Sequence, residues 1–498
     1  MLTQRTRHGL ILTLSQLIYH RLVKEALPNV VDTVAAALHF QQSSSLRVSV
    51  GANVRDAACF GLWALARRYP TCEIPPLSNV GTFDTITRIQ SLANDLVVTA
   101  TLDPEGNIRR GASAALQEMV GRHPDQVKQG IKLVQVVDYH AIALRSRAML
   151  EVGIDASEID PMYWQVILDG LLSWRGVGSL DDQSRRQAAD AIGRLTLRSR
   201  AKLPIAFKTV HSHLSRTSSD QVELRHGLML ALGQVVLAML ELPTQRVPVE
   251  EPPTTYIPKD EKAALWHVFY SDDAMQSNPH ADVTMDGEKF IILSPRPDLR
   301  LEAMCRLISI LASSVASETS NPQFAINSKP SEADLHICIE VISLSLHKTD
   351  PIVTDAASEA AARIFRIIDP LAREGLVCQW VRIIDNGSLG RRRDQVGVIA
   401  ALGAVFRHVG DCQYANSPES ETVKSGITGH QGVQEWLDSA HEDPKSTSPT
   451  QILIIDTLLN QLRIEHFRNS TEHRCAILRS LTSGVLACGG QSYYLIQY

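Results

Sequence analysis

His211-Ser212-His213 is the nearest approach in the sequence to a metal-binding pair, and its spacing argues against that role. On a helix, side chains at i and i+2 diverge by about 200°, so the two imidazoles cannot meet at one ion. A phosphate cradle of the form G-x-x-x-x-G-K-[ST] is missing, down to the Gly-Lys dipeptide itself. So are G-x-G-x-x-G, G-x-S-x-G and H-E-x-x-H. The eight cysteines include no C-x-x-C pair, and several lie in apolar helical patterns such as Ala57-Ala58-Cys59-Phe60. They read as buried free thiols rather than disulfides or zinc ligands. No catalytic residue, cofactor or metal is expected. What remains is arginine. Arg55 (with Asn53 and Asp56), Arg109-Arg110, Arg145 and Arg147 (with Tyr139), Arg225-His226 and Arg391-Arg392-Arg393 are the candidate residues. A guanidinium is a planar fork of donors suited to carboxylates and carbonyls. Two readings stay open: a ladder between neighbouring repeats, or a charged face offered to an acidic partner. His8 and His226 occupy equivalent positions, which points to a structural role near a helix start.

These residues recur because the chain repeats. Arg7 to Ile18 aligns with Arg225 to Val236, with seven of twelve positions identical. Similar polar or Arg-containing turns followed by Ala/Leu-rich stretches begin around positions 7, 55, 109, 185, 225, 300, 354, 392 and 474. The intervals are 48, 54, 76, 40, 75, 54, 38 and 82 residues. Single intervals near the HEAT or armadillo period of about 40–47 residues, and others near double, predict helical hairpins stacked on one continuous core. Ala58, Leu62, Leu65 and Ala66 fall on one helical face, as do Ala112, Ala115, Leu116 and Met119. The predicted fold is therefore an all-α, HEAT/armadillo-type α-solenoid with irregular insertions. Repeats are expected over 1–242 and 298–412, and a last helical repeat over 451–498. The Pro-rich stretch 243–297 and the Ser/Pro/Gly/Glu/Thr-rich stretch 413–450 interrupt them. Lys289 to Leu293 could form a short strand and Val433 to Leu437 a turn or two of helix.

The 498 residues carry 49 basic and 54 acidic side chains, a formal charge of −5, which argues against a broad nucleic-acid surface. Aromatics are 5% of the chain, and the apolar residues are mostly Leu, Ala, Ile and Val, which suits helices. Gly9-Leu10-Ile11-Leu12 after Arg5, Arg7 and His8 loosely imitates a signal peptide. Gln16, His20, Arg21 and Lys24 follow at once, so it reads as a repeat helix. No run is read as reaching the roughly 18–20 apolar residues of a membrane span.

Gly51-Ala52-Asn53-Val54-Arg55-Asp56-Ala57-Ala58-Cys59-Phe60, followed by Trp63-Ala64, closely resembles the G-x-N-V-R-D-A-A-C-[YF]-x-x-W-A string of the tubulin-folding cofactor D family. Asn107 through Arg122 is similar to that family's next helix. Asp138-Tyr139 with Arg145-Ser146 resembles its D-Y-F-A-x-x-N-R-S segment, with His140 in place of Phe and Leu144 in place of Asn. Arg225-His226-Gly227 is similar to its R-H-G helix start. The likeness is dense from Arg7 to Met239. Family members are longer, so the chain reads as their central region or a fragment. The resemblance implies a non-enzymatic chaperone and scaffold acting after the cytosolic chaperonin. It implies capture of β-tubulin and union with cofactor E carrying α-tubulin. With cofactor C, tubulin GTP hydrolysis would then be promoted allosterically. An Arf-like small GTPase as partner and a cytoplasmic, microtubule-associated location are also implied, with no nucleic acid and no membrane span. The alternative is another HEAT-repeat scaffold, such as a nuclear transport receptor or a phosphatase scaffold. Periodicity alone does not separate the two, whereas the Asn53-to-Trp63 string does.

Overall fold

The computed structural model describes residues 3–43, 49–76, 86–218, 220–241, 265–266, 296–316, 330–385, 395–406, 449–463 and 471–488. Two compact units are present, Met1–Tyr256 and Ile257–Tyr498. Both are all-α stacks of helical hairpins, the α-solenoid arrangement that the periodicity predicts.

The first unit runs α1 (Gln4–Tyr19), α2 (Leu27–Leu38), α3 (Ala52–Arg68), α4 (Arg88–Leu102), α5 (Gly106–Arg122) and α6 (Gly130–Val136). A composite α7 follows over Arg145–Ile159, with a π-helical turn at Ala148–Val152. Then come α8 (Pro161–Leu171), α9 (Asp182–Arg198), α10 (Leu203–Arg216) and α11 (Val222–Glu241). Helix starts follow local chemistry. Thr87 caps α4 by accepting from the Gln90 N–H at 3.2 Å, and Asp181 caps α9 by accepting from the Ser184 N–H at 2.8 Å. Asp160 and Asp350 each precede a proline at the first helical position, where its missing N–H costs nothing. α1 packs on α3, α3 on α5, and α9 on α11, while α2, α4 and α10 pack beside the helices that follow them.

Glycines set the close approach within the first unit. A Cβ on Gly61 would lie 2.5 Å from Ser15 Oγ, so α3 meets α1 at that glycine. A Cβ on Gly227 would lie 2.1 Å from the Val177 carbonyl oxygen, which brings α11 against the loop before α9. Gly51 takes a positive φ of 138° immediately before α3, a conformation that glycine adopts without strain. A two-residue antiparallel ladder, Gln42–Ser43 with Ser49–Val50, precedes that turn, and no sequence pattern pointed to it.

The second unit runs α12 (Pro297–Ala316), α13 (Glu332–Leu346), α14 (Pro351–Ile364), α15 (Pro370–Asp385), α16 (Val396–Val405), α17 (Pro449–Arg463) and α18 (Thr471–Cys488). α12, α14, α16 and α18 pack in series, and α15 packs on α17. α13 opens with a capping box, in which Ser331 and Asp334 bond each other's backbone N–H.

The expected apolar faces are buried: Ala58, Leu62, Leu65 and Ala66 on α3, and Ala112, Ala115, Leu116 and Met119 on α5. One expectation needs correction. The 18 residues Val222–Met239 are long and apolar enough to cross a membrane, but 72% of that stretch is buried inside the protein. Its hydropathy comes from being packed on several sides in the stack. The proposed strand at 289–293, the helix at 433–437 and Arg391, Arg392 and Arg393 lie outside the described residues.

Candidate interaction surface

The repeat-start arginines share one register. Arg7, Arg55, Arg109, Arg185, Arg225, Arg300 and Arg474 are each the fourth residue of their helix, and Thr354 takes the same place in α14. A cation in the first turn opposes the helix dipole, so something must hold it there. In the first unit Arg7 lies over the Phe40 ring at 5.1 Å, and backbone carbonyls hold the other four. Arg55 Nη1 donates to the Phe40 carbonyl at 3.0 Å. Arg109 donates to four carbonyls: Asp103 and Pro104 through Nη1, Ile142 through Nε and Ala143 through Nη2, at 2.6–3.0 Å. Arg185 Nη1 donates to the Ser179 carbonyl at 2.6 Å, and Arg225 Nη1 to the Thr217 carbonyl at 2.9 Å. These four guanidinium groups thus close carbonyls of loops that the helices leave unbonded.

One carboxylate anchors this frame. Asp103 is fully buried between α4 and α5. Its Oδ2 lies 2.8 Å from Arg55 Nε and 3.5 Å from Arg175 Nε, and its Oδ1 accepts from Arg55 Nη2 at 3.2 Å. Arg175 also donates to the Leu38 carbonyl at 2.5 Å, and both guanidinium groups lie over the Trp174 ring, at 5.1 and 4.7 Å. Burial pulls Arg109, Arg145 and Arg175 below the ordinary arginine value, and at Arg109 the neighbouring Arg145 adds to the effect. Arginine starts so high that all three keep their charge. Asp103, Trp174 and Arg175 were not singled out from sequence. An Asp closing an apolar helix and followed by Pro was the available signal for the first, and none marks the other two.

The remaining candidates divide by exposure. Arg145 is partly buried, bonded to the Ser184 hydroxyl and, at 3.0 Å, to the Arg175 carbonyl. His226 is buried and its Nδ1 accepts from Arg185 Nε at 2.9 Å, whereas His8 in α1 is partly exposed, so the equivalent positions differ in environment. Asn53, Asp56, Arg110, Tyr139 and Arg147 face solvent. Arg110 lies over the Tyr139 ring at 5.1 Å, and Arg147 pairs with Glu151 at 3.2 Å. Arg109 and Arg110, adjacent in sequence, therefore point into different surroundings. His211 stacks on Phe207, and among the described residues no three His, Cys, Asp or Glu side chains gather as ligands for a metal.

A second cluster, of which sequence singled out only Asp56, lies on α3. Asp56, Phe60, Trp63 and Arg67 sit at i, i+4, i+7 and i+11 on α3, the face opposite its buried stripe. Tyr19 from α1 stacks on Trp63 with centroids 6.1 Å apart, and Phe60 on Trp63 at 5.9 Å. Arg67 lies over Trp63 and Arg68 over Tyr19, both at 5.2 Å. Glu118 of α5 receives Arg67 Nη1 at 3.2 Å and Arg122 Nε at 3.0 Å. The α3 face was legible as the non-apolar half of the helical pattern, but the partners from α1 and α5 were not.

Comparison with known proteins falls on this same region. Residues 2–131 match the family model described as "Tubulin-specific chaperone D-like, ARM repeats". A tubulin-specific chaperone D of Dictyostelium discoideum is 29% identical over 235 residues, covering 47% of this chain and 15% of the relative. A tubulin-folding cofactor D of Schizosaccharomyces pombe is 22% identical over 236 residues, covering 47% of this chain and 20% of the relative. The matched segment is thus a fifth or less of either relative's own length. Among solved structures, yeast importin-β aligns over 99% of this chain and 57% of its own, at 11% identity and a TM-score of 0.33.

Proposed function

We propose that this chain, whose residues 2–131 match a model of tubulin-specific chaperone D-like ARM repeats, acts as a tubulin-folding cofactor that binds β-tubulin. The observation that carries the reading is where the family string lies. In Asn53–Trp63 its arginine and alanines are buried in the repeat frame, while Asn53, Asp56, Phe60 and Trp63 are exposed or half-exposed along α3. A helical stack offers an extended surface to a large client. In this reading the protein is a scaffold. It meets cofactor E with α-tubulin and cofactor C, binds an Arf-like small GTPase, and promotes tubulin GTP hydrolysis without a catalytic group of its own. Its place is the cytoplasm, with the microtubule cytoskeleton. The test is affinity capture of the tagged chain from a tubulin-rich extract with mass-spectrometric identification of what is retained. β-Tubulin is expected as the dominant partner. Recovery of Ran or a phosphatase catalytic subunit in its place would overturn the reading in favour of another class of HEAT scaffold.

A further inference from the structure

The cluster at the C-terminal ends of α1, α3 and α5 combines half-exposed rings with an excess of guanidinium. Trp63, Phe60 and Tyr19 are each partly open to solvent. Arg67 and Arg122 share the carboxylate of Glu118, which is only 17% exposed against 44% and 54% for their own side chains. Among the described residues Arg68 forms no ion pair. Its Nε donates to the Tyr19 carbonyl at 2.8 Å. Arg67 uses only Nη1, and Arg122 only Nε, on Glu118. The remaining N–H groups of both forks have no protein acceptor among the described residues. The patch thus carries a surplus of positive charge on a chain whose formal charge is −5.

We infer that this patch is a docking site for an acidic polypeptide segment, whose carboxylates take the free forks of Arg67 and Arg122 while its backbone and apolar atoms lie on Trp63 and Phe60. Charge complementarity carries the choice. Guanidinium forks bind carboxylates in pairs of parallel charge-assisted hydrogen bonds. Aromatic and arginine side chains together make the usual anchors of protein interfaces. Single-stranded nucleic acid fits less well, because it needs ring faces free for base stacking, and arginines already lie over Trp63 and Tyr19. The inference deepens the reading above by naming how a client would be gripped, and it rests on that reading only for the client's identity.

The test titrates a dye-labelled oligoglutamate peptide with the full chain and reads fluorescence anisotropy, with circular dichroism and melting curves on every variant. The Arg67→Glu, Arg122→Glu pair should weaken binding by at least about tenfold, since it replaces two charge-assisted contacts by repulsion. The neutral pair Arg67→Gln, Arg122→Gln keeps volume and serves if the reversed pair fails to fold. Arg194→Glu, on an exposed arginine of α9 paired with Asp190, should change nothing. Raising the salt to about 0.5 M should weaken the wild-type interaction, as for any exposed charge contact. Equal affinity of wild type and both pairs would overturn the inference, and so would tighter binding of oligouridylate than of oligoglutamate. Failure of oligoglutamate to bind, with β-tubulin still retained, removes this inference alone. Oligoglutamate binding without β-tubulin capture removes the functional reading alone.

Discussion

Asp103 sets the charge balance of the buried arginine frame. Truncating it to alanine leaves Arg55 and Arg175 buried without their carboxylate, a change that costs about 3–5 kcal/mol when a buried pair is broken. Asp103→Ala should therefore lower the urea midpoint of the first unit sharply, whereas Arg110→Glu, at an exposed position one residue from Arg109, should leave it within about 0.5 kcal/mol. By the same logic Arg109→Glu belongs with the destabilising changes. Its side chain is buried on four carbonyls, so reversing Arg109 and Arg110 together should destabilise the first unit as well. His123 gives a pH handle. It is buried beside the Thr71 hydroxyl at 2.8 Å, and burial, with Arg122 nearby, pushes its imidazole below the ordinary value. The unfolded chain therefore binds the proton more readily. Stability is complete above the ordinary histidine range, about 6.5, and falls as pH drops through and below it. Melting temperatures taken across that range should fall on acidification, and His123→Gln should flatten the slope. A slope unchanged by the substitution would place the titration elsewhere.

At the scale of elements, the sequence carried the repeat and lost part of its phase. The 76-residue interval from position 109 to 185 looked like a skipped unit, and Arg145 opens the helix that divides it into 36 and 40. That start was hidden because α7 begins at Arg145 itself and passes through a π-helical turn, which breaks the 3.6-residue rhythm. Helices with one buried stripe, such as α3 and α5, were legible from their alanines and leucines. The ladder at 42–43 and 49–50 was not, because two-residue strands carry no alternation to detect. Close approach at glycine is a consequence of this packing that can be measured. Gly227→Ala puts a Cβ against the Val177 carbonyl, a backbone atom that cannot rotate away. It should cost about 1–3 kcal/mol, the usual range for overpacking, read as a lower denaturation midpoint. Leu116→Ala, at a fully buried position on α5, should cost about 2–5 kcal/mol. A smaller loss in either would mean that the stack relaxes around the site.

For the whole molecule, the two units share one architecture but differ in what their sequences reveal. The family likeness is concentrated in the first unit, where the buried arginine frame also lies. That coincidence has a physical reason. Residues that must pair across repeats, such as Arg55 and Arg109, leave long recognisable strings, while apolar faces built from interchangeable Leu, Ile, Val and Ala do not. It also explains why contact residues were harder to read than fold. Exposed side chains on α3 are fixed by whatever they meet, and the sequence holds only one side of that pair. The proposal that this chain binds β-tubulin is tested by sedimentation velocity of β-tubulin released from chaperonin, mixed with the purified chain. A faster-moving complex containing both proteins is expected. The complex should be lost in a folded variant carrying Trp63→Ala with Arg67→Glu and Arg122→Glu. Two species sedimenting independently at concentrations where both remain folded would contradict it.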